Sequence, residues 1–479
     1  MTRRAGRRVA AALVALAVLC AIVVLERADR GLERTELLMG DTPATLYRPA
    51  ADDAALPLAV VAHGFAGSRQ MMRALSITLA RSGHAVIAFD LPGHGRNPTP
   101  LDPDVTRIAG TTEQLVETTL HVAATGLAFD GVAHPVAFVG HSMATDVVIR
   151  AAGRIGADEV VAISMYSDAI TPRSPRRLLI VSGQFENGLR EVAMRAVAQV
   201  TATAEGATAR DGDVARRAVF APLVGHVGVL WHRETLREAR DWLGGNARLG
   251  TIGAPIVGVL AGIVLLGHLL VGEIGQRSRH AWVGHGRSAV ALVLPVLPAI
   301  AAAWLVHFPV AGIAGFSAIA GFLAVWGAIQ IAVLRPAIGR VGPGAAAFAL
   351  WSLIFALALD RYAAAFVPTG PRMAAFAVLL PGCVLAMLAE AHVAARAPFW
   401  RRLLGRGILI GAVAVPMMLS PTRMGLLFTI LPVLFLFFAV YGALARRMAV
   451  REGPTGPGIV LGVMLAWAIA ASTPLFSAA

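Results

Sequence analysis

The sequence predicts an α/β domain built on a mostly parallel, doubly wound sheet, followed by an all-α polytopic membrane domain. Three observations carry this. The 479 residues are 57% hydrophobic and only 15% charged, and a mean hydropathy of +0.68 is too high for a water-soluble chain of this length. Residues 36–247 alternate short β-branched runs with helical ones, the pattern of a layered α/β domain. From Ile252 onward this gives way to a succession of long apolar runs.

The net charge of +13 raises the question of a nucleic-acid partner. Its distribution answers it. Residues 36–250 hold 20 arginines against 22 acids, which leaves 22 basic and seven acidic residues beside the apolar segments. There the excess sets membrane orientation, so the partners expected are the lipid bilayer and a small or lipid-like acyl substrate, not RNA or DNA. Cys20 and Cys383 both fall in apolar runs and cannot staple the polar domain. Nothing in the sequence signals a cofactor or a metal site. Ala17-Val18-Leu19 lacks a small residue next to Cys20, which argues against a lipoprotein signal.

In chain order, residues 1–8 carry Arg3, Arg4, Arg7 and Arg8 ahead of the uncharged run 9–25. This reads as an uncleaved signal anchor with a cytoplasmic N-terminus. A cleaved signal peptide is the competing reading, but no small-x-small cleavage site precedes Glu26. In the α/β region, strands are expected at Thr45–Tyr47, Leu56–Ala62, His84–Phe89, Val136–Gly140, Glu159–Met165, Arg177–Val181 and Val219–Leu223. Helices are expected at about 70–81, 111–128, 145–150 and 227–242. Residues 252–479 give eight further spans, near 252–272, 288–306, 311–334, 343–359, 373–394, 407–419, 425–444 and 458–476. The span from Gly407 is short and contains Pro416, so a broken or re-entrant segment is expected there. Alternate loops carry Arg277, Arg279, Arg287, Arg335, Arg340, Arg396, Arg401, Arg402, Arg406, Arg446, Arg447 and Arg451, against Arg361, Arg372 and Arg423 on the other side. That asymmetry puts the α/β domain outside the cytoplasm, in agreement with the N-terminus.

The chemistry centres on Val136-Ala137-Phe138-Val139-Gly140-His141-Ser142-Met143-Ala144. This reads as strand, tight turn and helix with a serine at the apex, the elbow that holds a nucleophile clear of its backbone. Small residues, here Gly140 and Ala144, are needed where strand and helix pass close together. An ordinary β-to-α turn carrying a serine would look the same over five residues. Two further segments change the weighing: His63-Gly64-Phe65-Ala66-Gly67-Ser68 and Asp90-Leu91-Pro92-Gly93-His94-Gly95. With the elbow, in this order, residues 36–245 resemble the α/β-hydrolase superfamily, nearest its lipase, esterase and serine aminopeptidase-like branches.

The resemblance implies roles in the chain order serine, acid, histidine. Ser142 would be the nucleophile and His226, in Pro222-Leu223-Val224-Gly225-His226, its base. Glu186, three residues past Gly183, would be the acid, with Asp168 the alternative. Backbone N–H groups of Phe65 and Met143 would form the oxyanion hole. His63, His94 and His141 match positions that shape the site, and His232 reads as a surface residue of the last helix. The short connection 166–176 leaves no room for a large lid, so an open site is expected, covered by the 96–112 loop or by a membrane surface. In the membrane domain His268, Gln330, Asp360, Glu390 and His392 are the functional candidates by default. The expected activity is hydrolysis of an ester, thioester or amide through an acyl-enzyme. An acyltransferase using the same residues is one alternative; the other is a transporter or membrane-assembly protein with a non-catalytic hydrolase-like domain.

Overall fold

Runs such as Leu-Pro-Leu-Ala-Val-Val-Ala, apolar on both faces, can only be satisfied as strands covered by helices on both sides. The computed structural model, which describes residues 3–50, 55–274, 284–419 and 428–478, shows that arrangement in the first half of the chain. After helix α1 (Arg3–Glu26), the strands are β1 (Leu32–Met39), β2 (Thr42–Pro49), β3 (Leu56–Ala62), β4 (Ala85–Phe89), β5 (Val132–His141), β6 (Glu159–Ile163), β7 (Arg177–Gly183), β8 (Thr208–Asp211) and β9 (Val214–Ala221). They form one sheet in the order β1-β2-β4-β3-β5-β6-β7-β9-β8. Neighbours from β4 to β9 run parallel, while β1 pairs antiparallel with β2, β2 with β4, and β8 with β9. Helices α2 (Arg73–Arg81), α3 (Glu113–Leu127), α4 (Met143–Ile155), α5 (Asn187–Ala198) and α6 (Arg233–Trp242) make the crossovers and closing helix.

Most expected elements recur with shifted ends, and three were not expected. β1 carries Glu33, Arg34, Thr35 and Glu36 in its first half and β8 is a four-residue edge strand, so neither has a long apolar run. α5 buries only Ala193, Ala196 and Val197, a face too narrow to stand out as periodic. The last parallel strand begins five residues earlier than expected, because Ala215–Ala221 pairs in register with Arg177–Gly183.

Two compact units divide the chain: Ala21–Val257 with Arg361–Ala365, and Met1–Cys20 with Gly258–Asp360 and Phe366–Ala479. In the first unit the N–H of Ala365 donates to Ser68 Oγ at 2.9 Å. Arg361 and Tyr362 both donate to the Glu26 carboxylate, at 2.6–2.7 Å.

The second unit is helical: α7 (Gly253–Leu269), α8 (His285–Val293), α9 (Val296–Leu305), α10 (Phe316–Leu334), α11 (Pro343–Tyr362), α12 (Pro371–Ala394), α13 (Phe399–Leu419), α14 (Ile430–Val440), α15 (Gly442–Glu452) and α16 (Thr455–Ser472). Among the described residues eight helical spans, α1 and the combined α8–α9 span Gly286–Leu305 included, are long and apolar enough to cross a membrane, and α14 and α15 form one further candidate bent by 47°. This composition fits a multi-pass membrane domain. Two expectations are corrected. The Gly407 span is neither short nor broken: α13 is a continuous 21-residue helix that accommodates Pro416 and begins at Phe399. Its first turns contain Arg401, Arg402 and Arg406, which reading by hydropathy assigns to a loop. The break falls instead at Tyr441, between α14 and α15. Arg277, Arg279, Arg423 and the start of the 425–444 span lie outside the described residues.

The expected intramembrane candidates are mostly engaged in structure. Gln330 donates to the Ala291 carbonyl, Asp360 accepts from the N–H groups of Phe366 and Val367, and the ring of His392 bonds the Leu388 carbonyl. These three are buried. Arg372 is buried too, and donates to the carbonyls of Ala470 and Thr473 at the C-terminal end of α16.

Helices α10 and α12 pack through glycine. A Cβ on Gly382 would lie 2.6 Å from the Ala320 carbonyl oxygen and 2.9 Å from the Ala324 nitrogen, both backbone atoms that cannot turn aside. Gly382→Val is therefore expected to destabilise the membrane unit by about 1–3 kcal/mol, read as a lowered unfolding temperature of the detergent-purified protein; an unchanged value would refute the close packing.

Candidate active site

The elbow forms because β5 ends and α4 begins around a single residue. Ser142 has φ +54° and ψ −120°, a strained conformation for a residue with a Cβ. Two backbone hydrogen bonds hold it there: Ser142 N–H donates to Ile163 O at 2.8 Å, and Thr145 N–H to Ser142 O at 2.9 Å. Strand and helix pass so closely that a Cβ on Gly140 would lie 2.6 Å from the Ala144 carbonyl oxygen. Gly64 is equally tight: a Cβ there would meet His141 Nδ1 at 2.8 Å and Ser142 Cβ at 3.0 Å. The peptide leading to Phe65 is thereby set against the serine. On the other side stands the first turn of α4, whose leading N–H groups have no acceptor within the helix. These are the positions of the two expected oxyanion donors, Phe65 and Met143.

His226 lies in the loop after β9, with Nε2 2.8 Å from Ser142 Oγ and Nδ1 2.6 Å from Glu186 Oε1. A carboxylate only accepts, so Nδ1 carries the proton and Nε2 is the lone pair facing the hydroxyl. Glu186 follows the turn after β7, and its Oε2 accepts from Ser164 Oγ at 2.8 Å and from the Gly183 N–H. Burial pushes the Glu186 carboxyl up, but His226, the Gly183 N–H and the Ser164 hydroxyl outweigh it and hold the pKa below the ordinary value. The carboxylate is thus charged and oriented, while His226 keeps 46% of its side chain exposed.

Asp168, the alternative acid, is not at the histidine. Its side chain is 79% exposed and ion-paired with Arg150 on α4. His232 is likewise more than a surface residue: its ring accepts the N–H of Glu234 at 3.1 Å as the N-cap of α6.

Three buried histidines frame the centre. His63 Nε2 accepts the Leu91 N–H at 3.1 Å, so its Nδ1–H donates to Gly64 O at 2.8 Å, joining the two motif loops. His94 packs edge-on against Phe65, with centroids 5.3 Å apart, and bonds Pro92 O. His141 Nε2–H donates to the His226 carbonyl at 2.9 Å and fixes the backbone that presents the candidate base. Burial drives His141 down to about 4, so it stays neutral at pH 7. Neither Ser164 nor the His141 bond was legible beforehand. Ser164 lies one residue past a strand end, and His141 looks like any strand-terminal residue. Among the described residues no group of three or more His, Cys, Asp or Glu is placed to hold a metal ion.

Residues 57–174 match the family model described as alpha/beta hydrolase fold. No curated protein matches the chain. Similar solved structures include a predicted CIB-like hydrolase from Thermoplasma acidophilum, with 16% identity and a TM-score of 0.35 over 44% of this chain and 97% of that one. Another is dienelactone hydrolase from Anabaena variabilis, with 18% identity and a TM-score of 0.34 over 45% and 98%. The first domain has the α/β-hydrolase fold, and that fold supports a hydrolase.

The buried histidines generate a stability prediction. Unfolded, His141 protonates near 6.5; folded, it does so only near 4. Between those values the unfolded chain binds more protons, so stability falls as pH drops through the window and levels off below it. His63, also depressed by burial, acts in the same direction. His141→Gln removes one of the two, so the loss of stability between pH 7 and pH 4.5 should shrink by about 2 kcal/mol, measured by thermal unfolding at both pH values. An undiminished loss would contradict a neutral His141.

Proposed function

We propose that this protein is a membrane-anchored serine hydrolase that cleaves an ester, thioester or amide bond of a small or lipid-like acyl substrate through an acyl-enzyme. The single observation that carries the proposal is the unbroken relay from Ser142 Oγ through the His226 ring to Glu186, at 2.8 and 2.6 Å. A serine hydroxyl alone is too weak a nucleophile, and an adjacent neutral imidazole supplies what it lacks.

Ser142 Oγ attacks the substrate carbonyl carbon as its proton passes to His226 Nε2. Glu186 stabilises the imidazolium and keeps its ring in place. The tetrahedral oxyanion is held by the N–H groups of Phe65 and Met143. The intermediate collapses as His226 returns the proton to the leaving alcohol, thiol or amine. Water then adds to the acyl-serine, His226 taking its proton, and the acid departs as Ser142 regains its hydrogen. The exposure of His226 favours water as acceptor.

A lipid-like acyl group fits the surroundings. Phe185 and Val227, both exposed, are next to Glu186 and His226 in sequence, exposed Leu223 precedes His226 by three residues, and exposed Tyr166 follows Ser164 by two. Apolar side chains left in water beside a reacting centre suit a ligand that covers them. Between β6 and β7 there are only 13 residues, Ser164 to Arg176, in keeping with a site that has no large lid. On this reading the N-terminus is cytoplasmic and the α/β domain lies outside, from the uneven distribution of arginine at the ends of the apolar segments.

A fluorophosphonate probe should label the natural protein in isolated membranes, and Ser142→Ala or His226→Ala should abolish labelling. Glu186→Gln should slow acyl transfer by roughly 10²–10⁴-fold, with Asp168→Asn near the natural rate. Failure to label the natural protein, or equal loss on changing Asp168, would sink the assignment. Orientation has its own measurement: with Cys20 and Cys383 replaced by Ser, Asp168→Cys should react with an impermeant maleimide in intact cells. Reaction only after lysis would reverse the topology.

A further inference from the structure

The membrane unit contains a cavity of about 420 Å³ that the hydrolase reading does not use. It is lined by α13, α14 and α15 and is amphipathic in a specific way. Its lining combines Arg402, Arg406 and Arg446 with apolar residues including Leu403, Phe435 and Phe438. Arg402 and Arg406 stand four residues apart on one face of α13, and Arg446 comes from beyond the Tyr441 bend.

Among the described residues a single carboxylate, Glu390, is paired with that positive charge. Arg406 Nε bonds Glu390 at 2.9 Å and its guanidinium lies 4.4 Å from the Phe438 ring centre, but among the described residues its two terminal NH₂ groups have no protein acceptor. Neither Arg402 nor Arg446 has an ion-pair partner among the described residues, and the one carboxylate engaged leaves two positive charges in excess. Room for the central guanidinium depends on Gly442, where a Cβ would meet Arg406 Nη2 at 3.1 Å. Leu403 and Phe435 in that lining are each more than half exposed, on helices of membrane-crossing composition.

We infer that this cavity binds an anionic phospholipid, its phosphate held by Arg402, Arg406 and Arg446 and the start of its acyl chain laid against Leu403, Phe435 and Phe438. Guanidinium groups match phosphate oxygens in geometry as well as charge. A cavity of this volume falls in the range of ligand sites, about 300–1,000 Å³. Basic pockets between membrane helices suit such headgroups. Uncompensated charge beside exposed apolar surface selects an amphiphile over either a free anion or a neutral lipid.

The test uses the full-length protein in detergent, titrated with phosphatidylglycerol, phosphatidylcholine or inorganic phosphate and read by native mass spectrometry and thermal unfolding. Phosphatidylglycerol should bind and raise the unfolding temperature, and the double variant Arg402→Gln/Arg446→Gln should weaken it about 25-fold, roughly fivefold per guanidinium. The Arg406–Glu390 pair is left intact so that the helices keep their packing. The double variant Arg402→Lys/Arg446→Lys, which keeps the charge, should retain most of the affinity and guards against a folding defect. Equal binding of phosphatidylcholine would overturn the proposal. So would stabilisation by phosphate matching that of the lipid, or unchanged phosphatidylglycerol binding in the Gln variant.

Discussion

Everything at the candidate site depends on one strained residue. Ser142 sits at φ +54°, where a side chain is disfavoured, and the surrounding backbone makes that conformation the only one available. β5 delivers the chain to Gly140 at the middle of a parallel sheet, Ile163 accepts the serine N–H, and α4 starts at the next residue. The strain has a use: it lifts the hydroxyl off the backbone while aiming the first turn of the helix at the same point. Without tight neighbours at Gly64 and Gly140, the turn would relax and the hydroxyl would lose its relation to His226.

Polarity around the elbow is managed by tautomers as much as by charges. His63 and His141 are buried and held below their ordinary pKa, so each is a neutral ring with one donor and one acceptor nitrogen. His63 uses both to tie Gly64 to Leu91, and His141 spends its donor on the His226 carbonyl. Only the His226–Glu186 pair is arranged to develop charge, with a carboxylate already held by Ser164 and Gly183. The separation is physical: neutral rings in the core set the backbone, and one exposed ring with a charged partner is free to take a proton.

In the membrane unit the polar residues follow a related rule. Gln330, Asp360, His392 and Arg372 each find a backbone partner. Such groups stay in an apolar setting because they close hydrogen bonds that would otherwise be missing. Arg402 and Arg446 depart from the rule, and that departure is what separates their cavity from ordinary helix packing.

The sequence by itself determined the fold class, the change of regime near Ile252, the elbow and the candidates Ser142 and His226. Those features are local: alternation, apolar run length and motif order are written into consecutive residues. β1, β8 and α5 escaped because edge strands and narrow helix faces bury too little to impose a pattern. The continuity of α13 escaped because three arginines in its first turns resemble a loop when only hydropathy is read. The sequence favours Glu186 over Asp168 as the acid, but the contact of Glu186 with His226 belongs to the tertiary structure. Both carboxylates follow strands at plausible distances in sequence, and only the parallel pairing of β7 with β9 brings the loop after one to the histidine after the other. Ser164, the His141–His226 bond and the three-arginine cavity belong to the same class. Each joins residues from separate elements, and a contact between distant parts of a chain leaves no periodic trace in either.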